Sequence, residues 1–172
     1  MACSQTLSGL VNDCSPNMGG IVEVLIANHA DVTAVTVTDN QVSAITMATS
    51  SNFHKYSFAR NTGSLSSNYT IDEANGSRFV VSDLVLVFNR METAKRIEIS
   101  ALAQGELAVI VKDANGKYWY LGKDAPVRAS AGDGLTGTAR ADRNGYSVTL
   151  QDNSLELPLE VDASIIDDLL PA

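Results

Sequence analysis

The sequence has no long hydrophobic run, only two histidines and two cysteines, and fewer basic than acidic residues. No apolar stretch approaches the roughly 20 residues that a membrane-spanning helix needs, so we expect no membrane partner. The N-terminus, MACSQTLSGL, has neither a basic residue nor a sustained apolar core, so we expect no secretory signal. With 12 Lys and Arg against 20 Asp and Glu, the formal net charge is −8. This balance argues against binding nucleic acid through a basic patch.

The scarcity of histidine and cysteine also limits the chemistry that the chain can perform. His29 and His54 are isolated, and neither shares a metal-ligand spacing with Cys3 and Cys14. No serine, cysteine or threonine is paired with a base in a nucleophile motif. We therefore expect no catalytic residue, no metal site and no cofactor. The two cysteines are expected as free, buried thiols, although a disulfide between them stays open.

The clearest structural pattern lies in residues 79–122. Residues 79–88 provide the β-branched, aliphatic and aromatic side chains of a buried strand. Asn89 and Glu92 then have the spacing of a helix capping box. One apolar stripe is predicted for the following helix, which Gly105 would end with positive φ. The stripe comprises Met91, Ala94, Ile97, Ala101 and Leu102. A strand over 107–111 and an Asn115-Gly116 turn complete a hairpin.

Strand-like segments flank this region on both sides. Before it lie residues 21–27, 32–37 and 42–47, with a turn predicted at Asp39-Asn40. After it come short strands at 127–130, 136–141 and 146–150, the last following a turn at Asn144-Gly145. The predicted fold is mainly β, either a two-sheet β-sandwich or a partly closed barrel. It is flanked by one main α-helix at about 89–104.

We predict three segments along the chain: an irregular N-terminal arm (1–20), a β-sandwich domain with its helix (21–152) and an acidic C-terminal tail (153–172). Within the domain, the polar residues 60–77 form either an exposed hairpin arm or a mobile loop. Residues 164–170 are either a short helix capped by Asp162 and stopped by Pro171, or a frayed tail.

Four stretches together resemble virion structural proteins of tailed phages that infect gut Bacteroidales, crAss-like phages among them. The N-terminal stretch has Cys3, Gly9, Leu10, Asp13, Cys14, Asn17, Gly19, Gly20 and Ile21 in a characteristic order. The others are IDEANG (71–76), LVFNRMETAKRIEISALAQGELAVIVKDANGKYWYLG (86–122) and DRNGYSVTL (142–150). Chains of that group resemble tail-tube or tail-ring subunits.

The resemblance implies a tail-tube-like β-sandwich that assembles into a closed homo-oligomeric ring of about 6 or 12 subunits, together with other virion tail proteins. DNA would pass through the ring without being specifically bound. Such a chain would be made in the host bacterial cytoplasm and end up in the virion tail. The resemblance implies contacts between subunits from the 60–77 arm, with further contacts from the irregular N-terminal arm and the acidic C-terminal tail. The candidates are Leu65, Tyr69, Ile71, Arg78, Ile165 and Leu169.

Two alternatives remain open from the sequence. One keeps the chain in the virion, as a head–tail joining or capsid decoration protein. The other is a β-sandwich module that binds a glycan through Tyr118, Trp119 and Tyr120. An enzyme is the function that the residues support least.

Overall fold

A computed structural model describes residues 7–12 and 14–171 of the chain. This part of the chain is mainly β, with two sheets and two α-helices, and the sheets do not close into a barrel. The predicted β-sandwich with one main helix is therefore confirmed. Cys14 is exposed, so the expectation that it is a buried thiol was wrong. Cys3, and with it the question of a disulfide, lies outside the described residues.

The strands are β1 (Ile21–Asn28), β2 (Val32–Thr38), β3 (Gln41–Met47), β4 (His54–Tyr56), β5 (Ser64–Asp72), β6 (Ser77–Asn89), β7 (Leu107–Asp113), β8 (Tyr118–Leu121), β9 (Arg128–Leu135), β10 (Gly145–Ser154) and β11 (Leu159–Val161). The α-helices are α1 (Thr93–Gln104) and α2 (Ile166–Leu169), and short 3-10 turns cover His29–Asp31 and Ala163–Ile165.

The two sheets differ in size. Sheet I has seven strands in the order β2-β3-β11-β8-β7-β1-β4, and sheet II has four in the order β5-β6-β10-β9. All strand pairs are antiparallel except β3 with β11. Sheet II therefore ends at β5 and β9, and sheet I ends at β2 and β4.

The middle strands of sheet I are buried on both faces. Along β1, Val24 and Ile26 point into a core shared with sheet II, whereas Leu25 and Ala27 point into a second core on the opposite face. This alternation follows from the two-residue period of a strand. A strand buried on both sides needs a continuous apolar run, which is what residues 24–27 provide.

The hairpin turns were predicted with mixed success. Asp39 and Asn40 have φ of 52° and 60°, as in a two-residue turn with both central residues left-handed, and they join β2 to β3. Asn115 and Gly116 do lie in the β7–β8 hairpin. Its turn is longer than two residues, because the Asp113 N–H bonds to the Lys117 carbonyl.

The main helix begins four residues later than the predicted cap. Asn89 stays in β6, paired with Gly145, and the Arg90 N–H donates to the Asn144 carbonyl at 2.6 Å. Strand pairing thus holds the chain extended where the capping box was expected. Glu92 occupies the N-cap position without a side-chain cap bond and instead forms ion pairs with Arg90 and Lys95. The capping-box prediction was wrong.

The C-terminal end of α1 also differs from the prediction. Gly105 has φ −80°, so it is extended and not left-handed. Glycine fits here for another reason, because a Cβ atom would lie 2.9 Å from the Leu107 side chain and 3.2 Å from the Ala101 carbonyl oxygen. The requirement is close packing and not positive φ.

The predicted strand at 136–141 does not form. β9 runs instead through Gly132 and Gly134, paired with β10. The following residues turn back, because the Asp142 carboxylate accepts the N–H groups of Thr138 and Ala139 at 2.8 and 2.7 Å. The turn expected at Asn144-Gly145 therefore lies earlier, at residues 139–142.

The C-terminal segment is built into sheet I. β11 lies between β3 and β8, and α2 buries Ile166 and Leu169 in the second core. The Asp162 carboxylate accepts the Ser164 N–H at 2.9 Å, which confirms the predicted cap and helical segment. Residues 163–169 thus cover the face of sheet I that sheet II leaves open.

Candidate interaction surfaces

The β5–β6 hairpin extends past the end of its sheet. β10 pairs with β6 only as far as Ser154 with Val80, whereas β5 continues to Asp72 with Ser77. Residues 70–79 thus form a two-stranded ribbon, and we call residues 69–79 the arm. Of the two alternatives for residues 60–77, the structure shows a hairpin, but residues 64–69 belong to sheet II and only residues 70–77 reach away from it.

The inner face of the arm carries apolar side chains into solvent. Tyr69 is 48% exposed and Ile71 is 62% exposed, although both follow Leu65 on the face of β5 that packs against the shared core. The Arg78 guanidinium lies over the Tyr69 ring, 5.4 Å from its centroid. Tyr69 and Ile71 thus continue this face of β5 beyond the sandwich, past the hydrogen-bonded hydroxyls of Ser67 and Ser82, and stay partly exposed.

The tip of the arm is held by its own hydrogen bonds. The Asp72 carboxylate accepts the backbone N–H groups of Ala74 and Asn75 at 3.0 and 3.2 Å, and the Asn75 amide at 2.6 Å. The bonds from Asn75 are the main cause that lowers the pKa of Asp72 below its usual value. Gly76 supplies the left-handed residue at φ 67°. The tip of the arm is therefore a turn closed by its own hydrogen bonds.

The six predicted contact residues do not form one surface. Tyr69, Ile71 and Arg78 share the arm, while Leu65 is half-buried at the edge of the shared core. Ile165 and Leu169 lie in the second core, on the face of sheet I that points away from sheet II. Leu169 is only 4% exposed, so its side chain is occupied within the subunit. The structure brings together the arm residues alone.

A surface that the sequence did not predict lies on α1. Leu102 is buried and Ile99 is half-buried against the shared core, whereas Ile97 is 57% exposed. Ala94 and Ala101 are exposed on the same side of the helix as Ile97. We call Ala94, Ile97 and Ala101 the outer face of α1. Met91, the remaining member of the predicted stripe, is exposed as well. Of the five residues predicted to pack on the core, only Leu102 does so, and the prediction was wrong for the other four.

Helix α1 closes one side of the sandwich with open clefts on both flanks. Toward sheet I, the Tyr56 hydroxyl donates a hydrogen bond to Glu98 beside clefts of about 190 and 210 Å³. Burial, followed by this bond to Glu98, raises the pKa of Tyr56. Toward sheet II, a groove of about 430 Å³ separates α1 from β9. The helix is thus held mainly by Leu102 and by the Tyr56–Glu98 bridge.

The described N-terminal residues 7–12 and 14–19 form neither helix nor strand. Leu7, Leu10 and Val11 are all at least 90% exposed. The segment joins the sandwich near β1, where the Asn115 side chain accepts the Met18 N–H and donates to Asn17, both at 2.8 Å. Leu7, Leu10 and Val11 thus form a second group of exposed apolar side chains among the described residues.

The three aromatic residues proposed as a glycan platform do not share a surface. Tyr120 is 2% exposed in the second core, and Tyr118 packs against that core with Lys112 over its ring. Trp119 alternates to the other face of β8 and donates its indole N–H to Asp113 at 3.0 Å. Each ring therefore contacts other residues of the same chain.

One buried polar pair lies where the chain crosses from sheet II to sheet I. Asp152 and Tyr120 are each 2% exposed, and neither Asp152 Oδ1 nor Tyr120 Oη has a hydrogen-bond partner among the described residues. Burial is the main cause that raises the pKa of Asp152, and burial with the nearby Asp152 charge raises the pKa of Tyr120 to about 12. A small cavity of about 10 Å³ adjoins both residues.

Within residues 7–12 and 14–171, no three His, Cys, Asp or Glu side chains gather as a metal-binding group. None of the helices in this part of the chain is both long enough and apolar enough to cross a membrane. Comparison with protein-family models, curated proteins and solved structures yields no match for this chain.

Proposed function

We propose that this protein is a structural subunit of a ring or tube in a phage tail, assembled around the channel through which DNA leaves the virion. The chain would act without catalysis, as one of about 6 or 12 identical copies beside other virion tail proteins. The proposal starts from the sequence resemblance to tail-ring proteins. One observation of the structure carries it further: the arm presents Tyr69 and Ile71 to solvent on a projecting ribbon.

An exposed apolar projection of defined shape supports a role in assembly. Single apolar side chains are common on protein surfaces, but here Tyr69 and Ile71 lie at alternate positions on one strand face that projects beyond the sandwich. The hydrogen-bonded hydroxyls of Ser67 and Ser82 separate them from the core. The Asp72 turn holds the tip in one conformation, so docking would cost little ordering entropy. Both features favour a contact with another protein surface.

The charge of the chain fits the passage of DNA. A formal net charge of −8 per copy gives a ring of six copies a charge of −48, which is six times −8. Phosphate binding requires clustered Lys and Arg side chains, and a strongly acidic assembly repels the phosphate backbone. DNA would thus move past the subunits without being retained.

Shortening the arm tests this proposal directly. Tyr69 and Val80 are register partners, so residues 70–79 can be replaced by an Asn-Gly dipeptide that closes a two-residue turn at that pair. The variant keeps every residue that is buried in the two cores. We expect it to fold with an unchanged far-ultraviolet circular dichroism spectrum and to lose the ring in size-exclusion chromatography with light scattering.

A matched control alters another exposed hairpin. Replacing Asp39-Asn40 with Asn-Gly changes the β2–β3 turn, where both residues already have positive φ. This control is expected to assemble like the wild type. A folded short-arm variant that still forms the wild-type ring would contradict the role assigned to the arm.

A further inference from the structure

The outer face of α1 is an apolar surface without a partner in the subunit. The helix contributes only Leu102 as a fully buried side chain, while Ile97 is 57% exposed between the exposed Ala94 and Ala101. The small alanine side chains leave room for a flat object to lie along the helix around Ile97. A two-stranded ribbon is such an object.

The charges beside this face are opposite to those at the tip of the arm. Residues 90–98 contain Arg90, Lys95 and Arg96 against Glu92 and Glu98, which gives a local charge of +1 in a chain of net charge −8. Glu98 accepts a hydrogen bond from the Tyr56 hydroxyl. Arg90 and Lys95 pair with Glu92, whereas Arg96 has no ion pair within the described residues. The side of the helix next to its outer face therefore offers a free cation.

The arm tip offers the complementary charge. Asp72 and Glu73 are adjacent at the turn, and the Arg78 guanidinium of the same arm lies over the Tyr69 ring. The Asp72 carboxylate is occupied by backbone N–H groups, while Glu73 is exposed and has no ion pair in the part of the chain that the structure describes. The tip thus combines a free carboxylate with the apolar pair Tyr69 and Ile71.

We infer that the arm of one copy docks on the outer face of α1 of the next copy. Tyr69 and Ile71 pack against Ile97, and Glu73 pairs with Arg96. This inference rests on the proposed function in one respect, that copies of the chain assemble. Because the arm and α1 are different surfaces of the same molecule, the contact is heterologous and repeats from copy to copy until a ring closes.

A charge exchange tests the polar part of this contact. Glu73→Lys and Arg96→Glu each place like charges together and should weaken assembly about tenfold in a dilution series followed by sedimentation velocity. The double variant restores opposite charges, so its apparent dissociation constant should return to within about threefold of the wild type. Arg140→Glu, which reverses an exposed loop cation, is the control and should leave assembly unchanged.

A cysteine cross-link tests the apolar part and shows which surfaces meet. In a Cys3→Ser, Cys14→Ser background, one preparation carries Ile71→Cys and another carries Ile97→Cys. Mixing them under mild oxidation should give a disulfide-linked dimer, while each preparation alone should give much less. Val37→Cys, at a 38% exposed position on β2, replaces Ile97→Cys in the control mixture and should not cross-link.

The outcomes separate this inference from the proposed function. If the wild type forms a ring, neither charge reversal weakens assembly and no Ile71–Ile97 cross-link forms, then the docking site is overturned and the ring still stands. A chain that cross-links at these positions but forms only open oligomers of varying length supports the docking site and contradicts the ring. A wild-type chain that stays monomeric at high concentration overturns both.

Discussion

At the scale of single residues, Asp152 is the charged side chain that the described part of the protein buries most completely. A carboxylate taken out of water is destabilised unless it is fully paired, and Oδ1 of Asp152 has no hydrogen-bond partner in residues 7–12 and 14–171. Burial therefore raises its pKa above the ordinary value of 3.8, against the smaller opposing effect of hydrogen bonds from Ser154 and Gly122. The folded state holds this proton more tightly than the unfolded state does.

This shift gives a stability prediction with a definite sign. Between pH 3.8 and the raised pKa of Asp152, the folded chain binds more protons than the unfolded chain, so the contribution of Asp152 to stability falls as pH rises. Asp152→Asn removes that contribution. In urea unfolding from pH 4 to pH 7, we expect the free energy of unfolding of the variant to rise relative to the wild type.

Asp72→Asn serves as a control of opposite sign. The pKa of Asp72 is lowered by its turn hydrogen bonds, so it contributes stability that is present above the unfolded pKa and is lost as pH falls. This variant should therefore lose stability relative to the wild type as pH rises over the same range. Parallel pH profiles for the Asp152 variant and the wild type would refute the buried-carboxylate explanation.

Gly145 illustrates a constraint that the sequence does not reveal. A Cβ atom at this position would lie 2.1 Å from the Phe88 carbonyl oxygen and 3.0 Å from the Asn89 Cα atom. Both contacts are with backbone of the paired strand β6, which cannot move aside without breaking the sheet. The Asn-Gly dipeptide predicted a turn, but the glycine is required for close strand approach.

We expect Gly145→Ala to lower the free energy of unfolding by about 3 kcal/mol or more, because the clash cannot be relieved by a side-chain rotation. Gly19→Ala is the matched control, since a Cβ atom there has nothing within 4 Å and the backbone does not require positive φ. Chemical denaturation gives the free energy of unfolding of each variant. Equal stabilities would show that β10 and β6 are not packed as described.

At the scale of elements, the sequence predicted α1 as a helix but not the direction in which it faces. Apolar residues at 94, 97 and 101 repeat at helical spacing, and so do Ile99 and Leu102. Periodicity alone cannot decide which of two apolar stripes packs on the core. The sandwich selects Leu102, because the chain enters α1 from a strand that stays paired to its last residue, Asn89.

Two alanine substitutions determine which face of α1 is packed. Leu102→Ala should cost about 2–4 kcal/mol of stability, as expected for a large side chain removed from a core. Ile97→Ala should change the stability of the isolated subunit by less than about 0.5 kcal/mol, because Ile97 is exposed. Thermal and urea unfolding of monomeric protein at low concentration measure both. A larger loss of stability from Ile97→Ala than from Leu102→Ala would show that the helix packs its opposite face on the core.

Other elements show where sequence reasoning succeeds and where it stops. Strands with apolar runs, such as β1, β6 and β7, and turns with positive φ, such as Asp39-Asn40, follow from local chemistry. The path of β9 through Gly132 and Gly134 does not, because glycines are normally depleted in strands. There the Tyr146 ring of the neighbouring strand would lie 3.1 Å from a Cβ atom on Gly134, so the pairing partner explains the glycine.

At the scale of the whole molecule, the unequal sheets explain how the surfaces are distributed. Sheet I is covered by sheet II on one face and by α2 with its flanking residues on the other, so both cores close within a single subunit. The arm, the outer face of α1 and the N-terminal segment are then left as apolar surfaces outside the cores. These exposed surfaces are the ones to which we assign the proposed assembly.

The exposure of the candidate contact residues could be predicted only in part, because it depends on how the two sheets are covered. A polar segment with Tyr69 and Ile71 at alternate positions indicates an exposed hairpin, and the structure shows one. Ile165 and Leu169 have the same apolar character, but they fill the second core, because β11 carries the C-terminal residues across sheet I. Which apolar residues remain outside depends on the strand order, which local patterns do not encode.

Native mass spectrometry of the purified wild-type chain tests the central claim most directly. The account predicts one closed species of about 6 or 12 copies, each of 18.2 kDa, that persists on moderate dilution and is lost when the arm is shortened. A monomer at high concentration, or a ladder of oligomers without a preferred size, would contradict the proposal that this chain is a ring subunit.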